Sequence, residues 1–263
     1  MLEQGTGIEP ASEAWEAPII ADILTLHVLT IILLTHLRVN RKMEVNAMKK
    51  EYPTLPDSMK NMTTYGFSWM EFIAAIPAPL FVVTSYKSNG KPNACLQSWS
   101  SFTGEDNRFF AILSSVHKSK HLYQTIHETG VAVLNFPSAD IYDKCLDTIK
   151  NNGFDDDEIA LSGLTSEPAS TVEAPRIKEC FVSLECRYLW EKEIVENSTH
   201  VLMCLEIVNI CADIDHLNEA TLGRYGDTGY IYNVHYPIDP ETFTGTSHDW
   251  IATLTKHRDM GEY

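Results

Sequence analysis

The stretch "PLFVVTSYKSNGKPNACLQSWSSF", residues 79–102, contains two predicted strands and the turn that joins them. Residues 80–86 are rich in β-branched and aromatic side chains, which is typical of a strand, and the Asn89-Gly90 pair tolerates the positive φ of a tight hairpin. The second strand, residues 93–102, carries small hydroxyl and amide side chains where Val or Ile would pack better. The stretch therefore predicts an antiparallel hairpin whose second strand does more than pack.

The pattern continues towards the C-terminus with a turn at residues 103–107, a strand at 108–115 and a short helix at 120–129. Ser119 is the predicted N-cap of this helix, and Gly130 stands where a left-handed C-terminal residue belongs. Further strands are predicted at residues 131–136, 179–194 and 199–213, a helix at 140–151, and an irregular excursion at 152–176. The acidic run within the excursion, residues 155–158, is interpreted as a solvated loop in preference to a cation site.

Many antiparallel strands with an inserted helix predict a mainly β fold, an antiparallel barrel with a few peripheral helices. The sequence has no GxGxxG after a strand and no GxxxxGK[ST]. A Rossmann or P-loop nucleotide site is therefore not supported.

Composition narrows the class of ligand. The chain has 263 residues and a formal net charge of −16, which argues against a nucleic-acid polymer as partner, because such binding needs many basic residues. An anionic ligand must instead be held by a local cluster. The six cysteines show no CxxC spacing, so no metal site is predicted and the thiols are expected to be reduced and buried, in the cytoplasm.

The N-terminal residues allow three interpretations. Residues 18–39 are long enough to span a bilayer, but they contain one aspartate and two histidines. The segment is an upstream translation ahead of a start at Met43 or Met48, a membrane anchor, or a docked helix. We divide the chain into an extension, 1–47, and a domain, 48–263, and expect membrane contact only if the apolar segment is a true anchor.

The segment "SSVHKSKHLYQTI", residues 114–126, predicts an anion site. It surrounds the start of the predicted helix with proton donors and cations: His117, Lys118, Ser119, Lys120 and His121. The free N–H groups and the dipole of a helix start favour a phosphate. In the alternative interpretation Ser119 only caps the helix and the lysines are only solvated.

The polar strand suits the other end of such a ligand. Gln97, Ser98 and Ser100 can offer hydrogen bonds to a planar heterocycle, and Trp99 can offer a flat wall. The same residues could also form the wet face of an ordinary sheet. Together with the cationic helix start, they could grip the two ends of one mononucleotide.

Four segments, in this order, resemble the flavin reductase-like, flavoredoxin-type family with the FMN-binding split-barrel fold. They are residues 79–102, "FFAILSSVHKSKHLYQTIHETGVAVLNFP" (109–137), "APRIKECFVSLEC" (174–186) and "THVLMCLEIVNICAD" (199–213). The resemblance implies a mainly β Greek-key barrel, a homodimer, non-covalent FMN with FAD as the alternative, and NAD(P)H or a redox protein as electron source.

The resemblance also implies cofactor-binding residues: Cys95, Gln97, Ser98, Trp99, Ser100, Ser114, Lys118, Ser119, Lys120 and Asn135. Lys120 stands where the family commonly has Arg, and Leu122 where it has Thr. His200 resembles a histidine that some relatives place near the nicotinamide or the flavin. No side chain is expected to act as nucleophile, because the flavin supplies the chemistry.

The function that follows is an NAD(P)H-dependent flavin oxidoreductase that transfers hydride to FMN. The alternatives are a flavoredoxin-type electron carrier without turnover of its own and a barrel without cofactor that serves as a binding module. The aromatic tail, residues 223–240, is a flap over the flavin, a dimer arm or a surface loop.

Overall fold

The computed structural model describes residues 49–62, 68–235, 238–244, 249–256 and 258. The chain divides into two compact units, Met1–Thr54 and Leu55–Tyr263. The predicted extension 1–47 and its apolar segment 18–39 lie outside the described residues, and the boundary placed after residue 47 stays a prediction. Within the described part, no helix has the length and apolar character needed to cross a membrane.

The second unit is built mainly from antiparallel strands. In chain order they are β1 (Ala78–Pro79), β2 (Phe81–Tyr86), β3 (Pro92–Gln97), β4 (Ser100–Glu105), β5 (Arg108–His117), β6 (Val131–Phe136), β7 (Ser166–Pro168), β8 (Pro175–Ile177), β9 (Val182–Glu193), β10 (His200–Ala212), β11 (Ile231–His235) and β12 (Asp249–Thr253). A seven-stranded sheet has the order β3-β2-β6-β9-β10-β5-β4, β1-β11-β12 form a second sheet, and β7-β8 a third.

The described helices are short. They are α1 (Trp69–Ala74), α2 (His121–Thr129), α3 (Tyr142–Asp147) and α4 (Glu158–Leu161), with 3-10 turns at Asp57–Met59, Ala139–Ile141 and Ile214–Leu217. α1 packs in a separate apolar cluster with Met59 and Ile238, whereas α2 contributes to the barrel core. The mainly β architecture with a few helices confirms the predicted fold class.

The seven-stranded sheet must curl, because its two edge strands are consecutive in the chain. β3 and β4 are the edges, yet only Ser98 and Trp99 join them. From Gln97 to Ser100 the chain spans at most about 10 Å, so the two edges come close together there and the sheet becomes a barrel with a split between them. This closure places the link between β3 and β4, Ser98 and Trp99, at one end of the split.

The single strand predicted at residues 93–102 is wrong, because the chain breaks at this link. Trp99 has a φ of 30°, outside the range of strands. The carbonyl of Trp99 accepts a hydrogen bond from the backbone N–H of Ser114 at 2.9 Å and another from the Ser114 hydroxyl. These bonds hold the bend against β5.

β2 is buried on both faces and so anchors two cores. Phe81 and Val83 face the barrel interior, where α2 contributes Leu122 and Ile126. Val82 faces outward into a second cluster that also contains Ala94, Cys145, Ile159, Leu164, Ile177 and Cys180. The excursion after α3 therefore packs as a second layer on the outside of the barrel.

Several local predictions need correction. β4 runs on to Glu105, so the turn contains only Asp106 and Asn107, with φ of 50° and 61°. The helix predicted at 140–151 is a 3-10 turn followed by the short α3. The excursion predicted as irregular contains α4, β7 and β8.

The acidic run is not wholly a solvated loop. Glu158 is 1% exposed, and its Oε1 lies 2.8 Å from Nζ of Lys87, whose side chain is equally buried. The other oxygen, Oε2, accepts the N–H of Ala94 at 2.7 Å. Lys87 also donates to the carbonyls of Gly153 and Asp156 at 2.9 Å each. A buried, fully paired ion pair thus fastens the excursion to β2 and β3.

Candidate functional site

Two cavities flank the bend at Ser98 and Trp99. We call the first the cationic cleft, with a volume of about 300 Å³. Its walls are Asn93 to Gln97 of β3, Ser115 to His117 at the end of β5, Lys120 to Leu122 at the start of α2, and Thr148, Ile149 and Asn152 after α3. Of the predicted polar strand, Cys95 and Gln97 share this cleft with the helix start, whereas Ser98, Trp99 and Ser100 do not line it.

The start of α2 lies in this cleft without a side-chain cap. The N-cap is Lys120 instead of the predicted Ser119, and it makes no side-chain capping bond. Ser119 is occupied elsewhere, because its N–H donates to Nδ1 of His117 at 3.1 Å and its hydroxyl contacts the same nitrogen at 2.9 Å. The first N–H groups of α2 are thus left for another acceptor.

Two buried polar atoms in the cleft lack hydrogen-bond partners among the described residues. One is Nδ2 of Asn93, a residue only 1% exposed, and the other is Nδ1 of His121. Nδ1 of His121 lies 3.7 Å from Oε1 of Glu158, beyond hydrogen-bond distance. Orphaned groups of this kind are rare in folded proteins and indicate a missing ligand or water.

Cys95 and Gln97 form the β3 wall of the same cleft. Nε2 of Gln97 donates to Sγ of Cys95 at 3.3 Å. Burial raises the pKa of the Cys95 thiol, so this sulfur stays protonated near neutral pH and acts as a packing surface, not as a nucleophile.

Lys118 is turned away from the cleft. Its ammonium group forms an ion pair with Glu193 on β9, and its backbone N–H donates to the carbonyl of Thr199 at 3.0 Å. Lys118 and Ser119 are not among the residues that line the cleft.

Asn135 lies inside the barrel wall and not at either cavity. Its Nδ2 donates to the carbonyl of Val82 at 3.1 Å and to the Thr84 hydroxyl at 3.0 Å. Its Oδ1 accepts the N–H of Ile177 and the hydroxyl of Ser183, both at 2.9 Å. The amide is used within the protein, which gives Asn135 a structural task.

His200 faces His117 across the β5–β10 pair. The two residues are register partners, and their rings meet edge to face with centroids 4.7 Å apart. Burial lowers the pKa of His200, and the neighbouring His117 lowers it further by a smaller amount. Because only His117 of this pair lines the cleft, His200 supports the site from behind.

The lowered pKa of His200 predicts a pH dependence of stability. Between the ordinary value of 6.5 and the lower folded value, the unfolded chain binds more protons than the folded one, so stability falls as pH falls through this window. We expect His200→Asn to reduce the loss of unfolding free energy between pH ~8 and ~5.5. Urea unfolding of both proteins at several pH values measures it, and equal pH slopes would contradict the assignment.

The second space, which we call the apolar cavity, lies on the other side of the bend and has a volume of about 550 Å³. It is lined by Met70, Glu71 and Ala74 of α1, Ile76 to Pro79, Trp99 to Ser101, Ile112 and Ser114 of β5, Leu202, and His235. Trp99, Ser100 and Ser114 therefore belong to this cavity, whereas Ser98 is buried at the bend and lines neither space.

His235 is positioned in this wall by the second sheet. It is 3% exposed, and its Nδ1 lies 2.6 Å from Oδ1 of Asp249 on the neighbouring strand. Its ring stands 5.3 Å from that of Trp99 and 4.3 Å from that of Phe72, measured between centroids.

The split barrel is the fold that the sequence resemblance predicts, and its seam carries the cationic cleft. The chain belongs to the family described as flavin reductase like domain, whose model matches residues 73–230. This confirms the predicted family.

Two solved structures show the same fold, and one curated relative is similar in sequence. Component B of nitrilotriacetate monooxygenase from Bacillus cereus is 18% identical, with a TM-score of 0.63 over 82% of this chain and all of that one. A split-barrel protein from Shewanella frigidimarina is 17% identical, with a TM-score of 0.60 over 74% of this chain and 90% of that one. An uncharacterized protein of Methanothermobacter thermautotrophicus is 26% identical over 145 residues, 54% of this chain and 67% of the relative.

Proposed function

We propose that the protein is an FMN-binding oxidoreductase in which a reduced nicotinamide gives hydride to FMN. The observation that carries this proposal is the cationic cleft, in which β3 and the uncapped start of α2 face the same space. The orphaned donors of Asn93 and His121 fit a ligand that is rich in hydrogen-bond acceptors. When bound, the flavin supplies the two-electron chemistry.

The phosphate end of FMN fits the start of α2. Lys120, His117 and His121 line this part of the cleft, and the first N–H groups of the helix add donors and a favourable dipole. In a chain with a net charge of −16, this local cluster is what allows an anion to bind.

The ring end fits the β3 side, where Cys95 offers a packing surface and Gln97 a side-chain amide for ring carbonyls or nitrogens. The cleft volume of about 300 Å³ falls within the range of small-molecule sites, about 300–1,000 Å³. Trp99 and Ser100 then lie beyond the ring, at the boundary with the apolar cavity.

A second copy of the chain is part of the proposal. Several apolar side chains near the end of β9 are exposed: Leu189, Trp190, Ile194 and Val195, at 39%, 46%, 53% and 66%. Burial of these side chains in a homodimer would remove them from water. A cytoplasmic location stays a prediction.

A visible absorption spectrum of the purified protein, before and after addition of FMN, tests the cofactor. NADH and NADPH are then added anaerobically, and bleaching of the flavin band followed by turnover with excess FMN is the expected result. Binding of FMN without turnover would identify an electron carrier. A colourless protein that takes up no FMN would contradict the proposal.

A further inference from the structure

The apolar cavity differs from the cationic cleft in charge. Among the residues that the structure describes, no lysine or arginine lines it, and its one carboxylate is Glu71. Oε2 of Glu71 accepts the N–H of Ser68 at 2.7 Å and so remains next to the cavity. A phosphate, sulfonate or carboxylate would meet a negative wall without a counter-charge, so this cavity selects against anions.

The cavity also has the shape and chemistry for a planar ring. Trp99 provides a flat surface, the buried ring of His235 packs against it at a tilt of 33°, and Ile112 and Leu202 complete an apolar wall. Its volume of about 550 Å³ lies well inside the range of small-molecule sites. A neutral aromatic molecule can be desolvated here at little cost.

Hydroxyl groups mark one side of this wall. Ser100 and Ser101 both line the cavity, and the Ser100 hydroxyl is buried without a hydrogen-bond partner among the described residues. A carbonyl oxygen of a bound ligand would supply the acceptor that this hydroxyl lacks.

The apolar cavity lies close enough to the cationic cleft for electron transfer between ligands bound in the two spaces. Gln97 lines the cationic cleft and Trp99 lines the apolar cavity, and two residues of chain span at most about 7 Å. A ligand in one space is therefore close to a ligand in the other.

We propose that the apolar cavity binds an uncharged, planar aromatic electron acceptor of the quinone class. This inference rests on the proposed function, because the electrons come from FMN in the cationic cleft. In the balanced reaction a quinone gains two electrons and two protons and becomes a hydroquinone, while dihydro-FMN loses the same two electrons and two protons and becomes FMN.

The test measures binding by calorimetry, with naphthoquinone and naphthoquinone sulfonate as probes on the oxidised protein. We expect the neutral quinone to bind. The sulfonate, which has the same ring, should have a dissociation constant at least about tenfold higher. Ala74→Trp, at an exposed position of the wall, should reduce naphthoquinone affinity about tenfold and leave FMN affinity unchanged. Ile76→Trp, at a position 74% exposed, gives an independent blocked variant.

The matched control is Ile149→Trp, which fills the cationic cleft in place of the apolar cavity. It should weaken FMN and leave naphthoquinone binding intact. Equal affinity for the two probes, or loss of naphthoquinone binding in Ile149→Trp but not in Ala74→Trp, would overturn the inference. The inference would also be overturned if naphthoquinone affinity fell as self-association of the protein increased, because a second copy of the chain would then cover the cavity. Naphthoquinone binding to a protein that takes up no FMN would overturn the proposed function and the acceptor role together.

Discussion

Replacement of Glu158 by alanine is expected to lower the free energy of unfolding by about 3–5 kcal/mol. The side chains of Lys87 and Glu158 are each only 1% exposed, so removal of the carboxylate leaves a buried ammonium without its counter-charge. The N–H of Ala94 on β3 loses its acceptor in the same step. Both penalties arise in the interior, where water cannot replace the missing partner.

Urea denaturation of Glu158→Ala measures this loss, with Glu105→Ala as the matched control. Glu105 is exposed at the end of β4, so its removal should change stability by no more than about 0.5 kcal/mol. A double-mutant cycle with Lys87→Met separates the pairwise coupling from the loss of the Ala94 bond. If Glu158→Ala costs no more than Glu105→Ala, the ion pair does not stabilise the fold.

Replacement of Lys120 by methionine is expected to raise the dissociation constant of FMN about tenfold or more. Lys120 lines the cationic cleft at the start of α2, and methionine keeps an unbranched apolar chain while removing the charge. Fluorescence titration of free FMN, which is quenched on binding, measures the constant.

Lys118→Met is the matched control because it removes the same charge two residues away. Lys118 is paired with Glu193 and does not line the cleft, so its loss should change FMN affinity by less than about threefold. The pair of variants separates a specific phosphate contact from a general effect of charge. An equal loss in both variants would show that the phosphate is held by the overall field and not by Lys120.

Much of the barrel was predictable because its strands carry strong local signals. The strand at residues 131–136 matches β6 at both ends, and Gly130 has the expected left-handed conformation, with a φ of 71°. The bend at Ser98 and Trp99 was not predictable, since nothing in "QSWSS" marks it as a break. Trp99 has a φ of 30°, and its carbonyl is held by Ser114, a partner from another strand.

The candidate site was predictable in outline and not in detail. The segment 114–126 indicates a cationic helix start. The sequence does not show that Lys118 forms an ion pair with Glu193 or that Ser119 hydrogen-bonds to His117. Asn93, with its orphaned amide, carries no signal, because a lone asparagine after a proline resembles a turn residue. The wall formed by Thr148, Ile149 and Asn152 directly precedes Gly153, whose carbonyl accepts a hydrogen bond from the buried Lys87, a contact distant in sequence.

The carboxylate of Glu158 also occupies a backbone hydrogen-bonding group on an edge strand. β3 is an edge of the seven-stranded sheet, and an exposed edge offers backbone groups to which a foreign strand can add. Oε2 of Glu158 occupies the N–H of Ala94 in the middle of that edge. The same contact that fastens α4 to the barrel therefore leaves this N–H unable to bond to a foreign strand.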